Sequence, residues 1–364
     1  MAIPNNKILL RSPYWVTQSA DDLDYMMIDL RVWNGDLTDE PTDPTIQLRS
    51  TALNGVASID IAELARDYVE VTFNGFEESN TAIISYQVTT SNVAGKGEDT
   101  GRTYKIGYDG YGTFADGYNP VLSSPILMSS ERVSAYKETN IDIPVALADV
   151  TEYSLQRLSY VGYSSFRTVS TTNTPADTGE AVLYIDTSYQ GQYADRVEIK
   201  SGTDVYYVYV DYQECNKYGV NKVYFVNRFG AVQQMHFSSK YAISLSSDSE
   251  KYTRNLLDSG TYDVTRHQTY LLNKNGKFSM EINTGWIPEE ENDTMIEILM
   301  SEQIWLKVDT SKLGVGWVPK STSEYTIPVH LTNKNMDVKS RLNDKLINYS
   351  FKFEAANDWI NTVR

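Results

Sequence analysis

One cysteine, Cys215, stands in the whole sequence. That excludes an internal disulfide framework, so folding is not expected to need an oxidising compartment. No motif around Cys215 would activate its thiolate, and it reads as a small core or edge residue near a strand end. Histidine is almost as scarce, and His236, His267 and His330 all fall on or beside expected strands. No G-x-S-x-G elbow accompanies them, which leaves nucleophilic catalysis without a frame. H-E-x-x-H and C-x-x-C are also missing, so the usual zinc frameworks are excluded. No apolar run approaches the roughly 18 residues that a spanning helix needs, and no membrane span is expected. The opening MAIPNNKILLRSPYWV lacks the long apolar stretch of a secretory signal. Basic runs are absent as well. With 48 acidic against 32 basic residues the net charge is −16, and direct nucleic-acid binding, which needs local Lys/Arg density, is not expected.

Hydrophobic residues make up 41% of the 364, enough for real cores. Tyrosine is the outlier, with 27 copies against 10 Phe and 6 Trp. Its ring favours strands, and its hydroxyl suits interfaces where one end stays wet. An acidic surface repels copies of itself, so any assembly must use patches that leave the excess charge out, or basic partners.

The pattern along the chain is mostly period two. In DLDYMMIDLRVW, Met26, Ile28, Leu30 and Val32 share one face of a half-buried strand. SIDIAELARDYVEV holds a short helix, Asp60–Val69, with Asp60 and Glu63 spaced as a capping box and Ile61, Leu64, Ala65 and Tyr68 as one apolar stripe. TDVYYVYVDYQE is apolar or aromatic on both faces and should be a central or covered strand. Hairpins are expected around Asn227–Gly230 and around Asn275–Gly276, the latter an Asn-Gly turn signal. A second helix is expected over Pro288–Met300. Pro288 suits its first position, Glu289, Glu290 and Glu291 complement its positive end, and Met295, Ile296, Leu299 and Met300 form its apolar face. Such a helix is expected to seal the open edge or end of a sheet. The fold class expected is mainly β, with two or three tandem sandwich-like domains and two short amphipathic helices. The domain ranges are 1–119, 120–220 and 221–364.

Candidate chemistries each meet a plainer reading. Asp21, Asp22 and Asp24, and Asp109 with Asp116, offer oxygen ligands, but neither set has the EF-hand spacing, and solvated acidic turns account for them. GYDGYG lacks the Lys-Ser/Thr and the helix of a phosphate cradle. Among 48 carboxylates some pair at glycosidase separation always exists, so that signal has no specificity. No catalytic residue, cofactor or metal site is expected.

Three stretches together carry a resemblance: YDGYGTFADGYNPVLSSPILMSS (Tyr108 to Ser130), INTGWIPEEENDTMIEILMSEQIWL (Ile282 to Leu306) and the closing FKFEAANDWINTVR. With YFVNRFGAVQQMHF they resemble tail-associated virion proteins of tailed bacteriophages, most like those of phages of Bacteroidetes-type hosts, including crAss-like phages. The resemblance implies a non-enzymatic component of the tail, baseplate or head–tail connection, made in the host cytoplasm and located in the virion. It implies other virion proteins as partners, and a homo-oligomer or symmetric hetero-assembly.

The contact elements expected are the glycine- and tyrosine-rich loop Tyr104–Tyr118, the loop Ser164–Thr178 and the termini. The interface candidates are Tyr104, Tyr108, Tyr111, Phe114, Tyr118, Phe166 and Trp359, with core packing an equal alternative for the Tyr104–Tyr118 rings. A glycan- or receptor-binding adhesion module is the alternative function, marked by exposed rings flanked by carboxyl and amide groups. A glycan-cleaving enzyme is a third reading, and would show a deep cleft with two carboxylates.

Overall fold

A computed structural model describes residues 7–34, 37–69, 73, 81–92, 95, 97–136, 139–158, 166–168, 181–189, 192–213, 219–257, 259–309, 324–340, 346–358 and 360. The chain is mainly β, as its alternation predicts, with two short α-helices among the described residues. It divides into two compact units. One is Met1–Glu214 with Phe225–Met235 and Glu290–Ser301; the other is Cys215–Tyr224 with His236–Glu289 and Glu302–Arg364.

The first unit begins with β1 (Lys7–Leu9), β2 (Trp15–Ser19), β3 (Leu23–Trp33), β4 (Ile46–Thr51), β5 (Val56–Asp60), α1 (Ala62–Arg66), β6 (Thr81–Asn92), β7 (Gly97–Asp99) and β8 (Thr103–Tyr108). One sheet runs β1-β8-β6-β3-β4 with β7 also on β6, and β2 pairs with β5. The alternation of β3 has the expected result: Met26, Ile28 and Leu30 are fully buried. They share a core with Ile84 and Val88 of β6, Val16 of β2, Ala57 of β5 and Ala65 of α1. Two β layers over one core make a sandwich-like arrangement. The helix is shorter than Asp60–Val69. Asp60 Oδ1 does accept from the Ala62 amide at 3.0 Å, but after Arg66 the chain continues in turns, with Val69 N–H donating to Arg66 O.

The unit continues through β9 (Arg132–Tyr136), β10 (Asp142–Ala146), β11 (Glu152–Leu158), β12 (Phe166–Thr168), β13 (Val182–Asp186), β14 (Ser188–Tyr189), β15 (Gln192–Tyr193), β16 (Arg196–Ser201) and β17 (Asp204–Gln213). Their sheet runs β12-β11-β16-β17-β9, while β10 pairs with β13 and β14 with β15. Ile143, Val145 and Ile185 of the β10–β13 pair pack on Leu155, Val197, Ile199, Val208 and Val210 of the sheet. Strand β17 is interior, between β16 and a parallel β9. That explains its two-sided apolar character: Val208 and Val210 are buried, and Tyr207 and Tyr209 are half-buried on the other face.

The remaining strands are β18 (Asn221–Val226), β19 (Val232–Phe237), β20 (Ala242–Thr253), β21 (Thr269–Asn283), β22 (Ile287–Pro288), β23 (Ile304–Asp309), β24 (Glu324–Leu331), β25 (Leu346–Ile347) and β26 (Ser350–Ala355), with α2 at Asn292–Met300. Seven form a sheet in the order β19-β18-β23-β24-β26-β21-β20. In the second unit Phe237 meets Phe351 and Phe353 edge-on, at 6.0 and 6.3 Å between ring centres.

Two expectations are corrected here. Asn275–Gly276 does not turn, because β21 runs straight through it with Asn275 opposite Asp248 and Gly276 opposite Ser247. An Asn-Gly hairpin turn needs positive φ at both positions, and neither residue adopts it. The chain reverses between Thr253 and Thr269 instead. The second helix starts at Asn292, after Glu289–Glu291 form a 3-10 turn and Pro288 pairs in β22. Its buried residues are Thr294, Met295, Glu297 and Ile298, while Ile296 and Met300 are exposed. Of the expected apolar face Met295 is buried and Leu299 half-buried, while hydropathy missed Glu297, whose carboxyl group finds a hydroxyl partner in Ser129.

Candidate interaction surfaces

The stretch Tyr104–Tyr118 is not one loop. Its first half is strand β8, where Tyr108 is fully buried and its hydroxyl donates to Ala181 O at 3.3 Å. Burial pushes the Tyr108 hydroxyl pKa upward. Tyr108 is therefore a core residue, and its place among the interface candidates is corrected: it packs with Leu9, Ile106 and Leu127. Tyr104 is half-buried, its hydroxyl donating to Glu40 at 2.9 Å. Tyr111 is half-buried under the Arg11 guanidinium, 5.3 Å from the ring centre.

Beyond Tyr111 the chain turns outward. Phe114 is 103% exposed and Tyr118 70%, and Trp15 from the neighbouring segment is 60% exposed. These rings border a groove of about 940 Å³ between Arg11–Trp15 and Gly112–Asn119. The loop that carries them is braced. Thr113 and Asp116 form a reciprocal capping box around a 3-10 turn, and Gly117 ends it with φ +68°. Gly112 N–H donates to Ser12 Oγ at 2.6 Å. Asn119 accepts from Leu9 N–H at 3.1 Å and donates to Leu9 O and Ser12 O at 2.7 and 3.0 Å. Asn119→Ala removes all three bonds and should cost about 1–3 kcal/mol, read as a lower midpoint in denaturant unfolding.

Each fully exposed large apolar side chain forgoes about 1.5–3 kcal/mol of burial. Three of them stand together on one braced loop and its neighbour, a cluster rather than scatter. Of the polar side chains beside them, Ser12 and Asn119 are bonded to neighbouring backbone, and Asp116 to Thr113 of its own loop. The groove thus offers ring faces with few directed polar groups.

The glutamates of α2 and of the turn before it do something else. Glu291 and Glu297 are buried, accepting from Ser134 Oγ at 2.5 Å and from Ser129 Oγ respectively. Burial pushes their pKa values up, to about 8 for Glu291 and about 7 for Glu297. Raised carboxyl pKa values occur at active sites and in cores alike. Neither residue borders the groove at Arg11–Asn119, and the geometry is that of structural burial. Asp109 pairs with Arg66 at 2.9 Å, and Asp116 accepts from the Thr113 amide and hydroxyl. His236 is buried, and His267 and His330 are exposed on other segments.

Phe166 lies in β12, but its side chain is outside the described residues, as are Trp359, Cys215 and most of Ser164–Thr178. Sequence reasoning missed Trp15 and the exposed β20–β21 ribbon.

No family model matches the chain. No curated protein matches it. Among solved structures it is similar to Drosophila OTK, extracellular domains 3-5, at 9% identity and a TM-score of 0.21, over 78% of this chain and 89% of that one. It is also similar to Dscam1 isoform 7.44, N-terminal four Ig domains, at 11% identity and a TM-score of 0.17, over 76% and 67%. Scores this low bear on neither fold nor function.

Proposed function

We propose that the chain is a non-enzymatic structural subunit that works by protein–protein contact in a multi-copy assembly. The setting we propose is the tail, baseplate or head–tail connection of a bacteriophage virion. The setting rests on the sequence blocks that resemble phage tail proteins. The contact reading rests on one observation: Trp15, Phe114 and Tyr118 stand exposed around a braced groove whose neighbouring polar groups are already bonded within the chain. A protein partner covers such faces with apolar side chains and needs few directed hydrogen bonds.

The test is the triple variant Trp15→Ala/Phe114→Ala/Tyr118→Ala. Because the rings are exposed, its unfolding midpoint should stay near that of wild type. Wild-type chain should be present in several copies per purified particle from the producing bacterial culture, and the variant should fall about tenfold or more. A wild-type chain absent from particles sinks the reading. The same rings favour the second reading, a glycan-binding module, since sugar faces stack on exposed aromatics. Saturable binding of host surface polysaccharide, lost in the triple variant, would support it over the first.

A further inference from the structure

The β20–β21 ribbon is the largest feature that the groove does not explain. Strand β20 ends its sheet, so among the described residues one of its edges carries no partner strand. Strand β21 has a second neighbour, β26, only over Ser279–Asn283; from Thr269 to Lys277 it pairs with β20 alone. The ribbon is thus two strands wide for most of its length, and nearly every residue of β20 is exposed. Ile243, Leu245, Tyr252, Leu271 and Leu272 are each 40–53% exposed along it. Tyr252 stacks on Tyr270 at 5.5 Å and Arg254 lies 4.7 Å over the same ring, so the far end is ordered by its own side chains. A two-stranded ribbon in water is marginal by itself.

We propose that the free edge of β20 pairs antiparallel through Ala242–Ser247, about a two-fold axis, with β20 of a second copy of this chain, joining the two sheets edge to edge. Charge points to a copy of itself as the occupant. Residues 242–276 carry Asp248, Glu250, Asp258 and Asp263 against Lys251, Arg254, Arg266 and Lys274, a net charge of zero in a chain of −16. Two acidic bodies repel, and this neutral ribbon is where they can approach. A basic partner would be drawn to the acidic remainder instead. Two-fold pairing also sets each residue against itself or its mirror position. Ala242–Ser247 is uncharged, so no like charges meet there, and Ile243 and Leu245 are brought against their symmetry mates. The register irregularity between Asp248 and Glu250 marks where regular pairing ends.

The inference rests on the assembly reading but uses different residues. An interface of one strand and a ribbon face is small, so a dissociation constant on the order of micromolar is expected. Sedimentation of the full chain from about 1 to 200 μM should show a monomer–dimer equilibrium. Added salt should tighten it, because it screens the repulsion between acidic bodies. Ile243→Lys/Leu245→Lys should weaken the dimer by about tenfold or more with an unchanged unfolding midpoint. The groove triple variant should dimerise as wild type does. A monomer at about 200 μM, or a dimer that the lysine variant leaves intact, overturns the proposal. A monomeric wild type that still enters particles removes the pairing and leaves the assembly reading. A chain that dimerises but never enters particles does the reverse.

Discussion

Alanine at Gly230 should lower the melting temperature by about 10 °C. Gly230 sits at φ +80°, where a Cβ would lie 2.6 Å from the Asp109 nitrogen and 2.8 Å from its carbonyl carbon. Gly110 faces it across the same crossing, where a Cβ would lie 2.4 Å from Arg228 O and 2.6 Å from the Phe229 carbonyl carbon. These are backbone atoms, so no side chain can swing away. They are held in place, because Tyr111 N–H donates to Arg228 O at 2.7 Å and Asn227 Oδ1 accepts from Phe229 and Ala231 amides at 3.0 and 3.2 Å. The left-handed conformation adds about 1–2 kcal/mol for any residue with a Cβ. With displacement of the crossing, a loss on the order of 4 kcal/mol is expected, and roughly 2–4 °C per kcal/mol converts it to the melting shift. Gly110→Ala should behave alike. Gly117→Ala is the control: it shares the positive φ, +68°, but its Cβ meets nothing within 4 Å, so it should lose only the conformational part. Calorimetry of the three variants decides the matter, and a Gly230→Ala protein within about 2 °C of wild type refutes the crossing as a constraint.

That crossing shows what could be read beforehand. The glycines of YDGYGTFADG were legible as permissive backbone, but Gly110 is needed for close approach to a segment more than a hundred residues away, which no local pattern announces. Strand β3 was legible because its burial follows strict alternation. Strand β20 was not, because AISLSSDSEKYT alternates serine with few apolar residues, and a ribbon exposed on both faces has no buried side to leave a trace. Phe114 and Tyr118 were singled out by composition, yet composition could not separate them from Tyr108. The difference is that Tyr108 ends a strand whose inner face is covered by Leu127 and Ala146. Trp15 went unnoticed since it lies at the start of an ordinary strand and meets the loop only in three dimensions. In α2 the three glutamates looked like a helix N-terminus. The sequence carried no sign that Ser129 and Ser134 would lie under the helix.

Glu291→Gln should stabilise the protein at pH 8 by several kcal/mol while leaving it nearly unchanged at pH 4.5. Burial raises the Glu291 pKa from its ordinary 4.5 to about 8 in the folded chain. Between those values the unfolded chain has lost this proton and the folded chain keeps it. The folded state binds more protons, so unfolding free energy falls as pH rises. The stabilisation is fully present below about pH 4.5 and is lost progressively up to about pH 8, an effect on the order of 5 kcal/mol for Glu291 alone. Glu297, raised to about 7, adds a smaller loss of the same sign over a narrower window. Glutamine keeps the shape and the carbonyl oxygen that accepts from Ser134 Oγ, and it has no proton to lose. The difference between variant and wild type should therefore be near zero at pH 4.5, grow through neutrality and level off above about pH 8. Ser134→Ala, which removes the donor and leaves the acid buried, should destabilise at both ends of the range by about 1–3 kcal/mol. Urea titrations at pH 4.5, 6, 7 and 8.5 measure all three curves. A variant-minus-wild-type difference that stays flat across them would mean that Glu291 ionises freely in the folded chain, and that α2 is not held by a neutral acid.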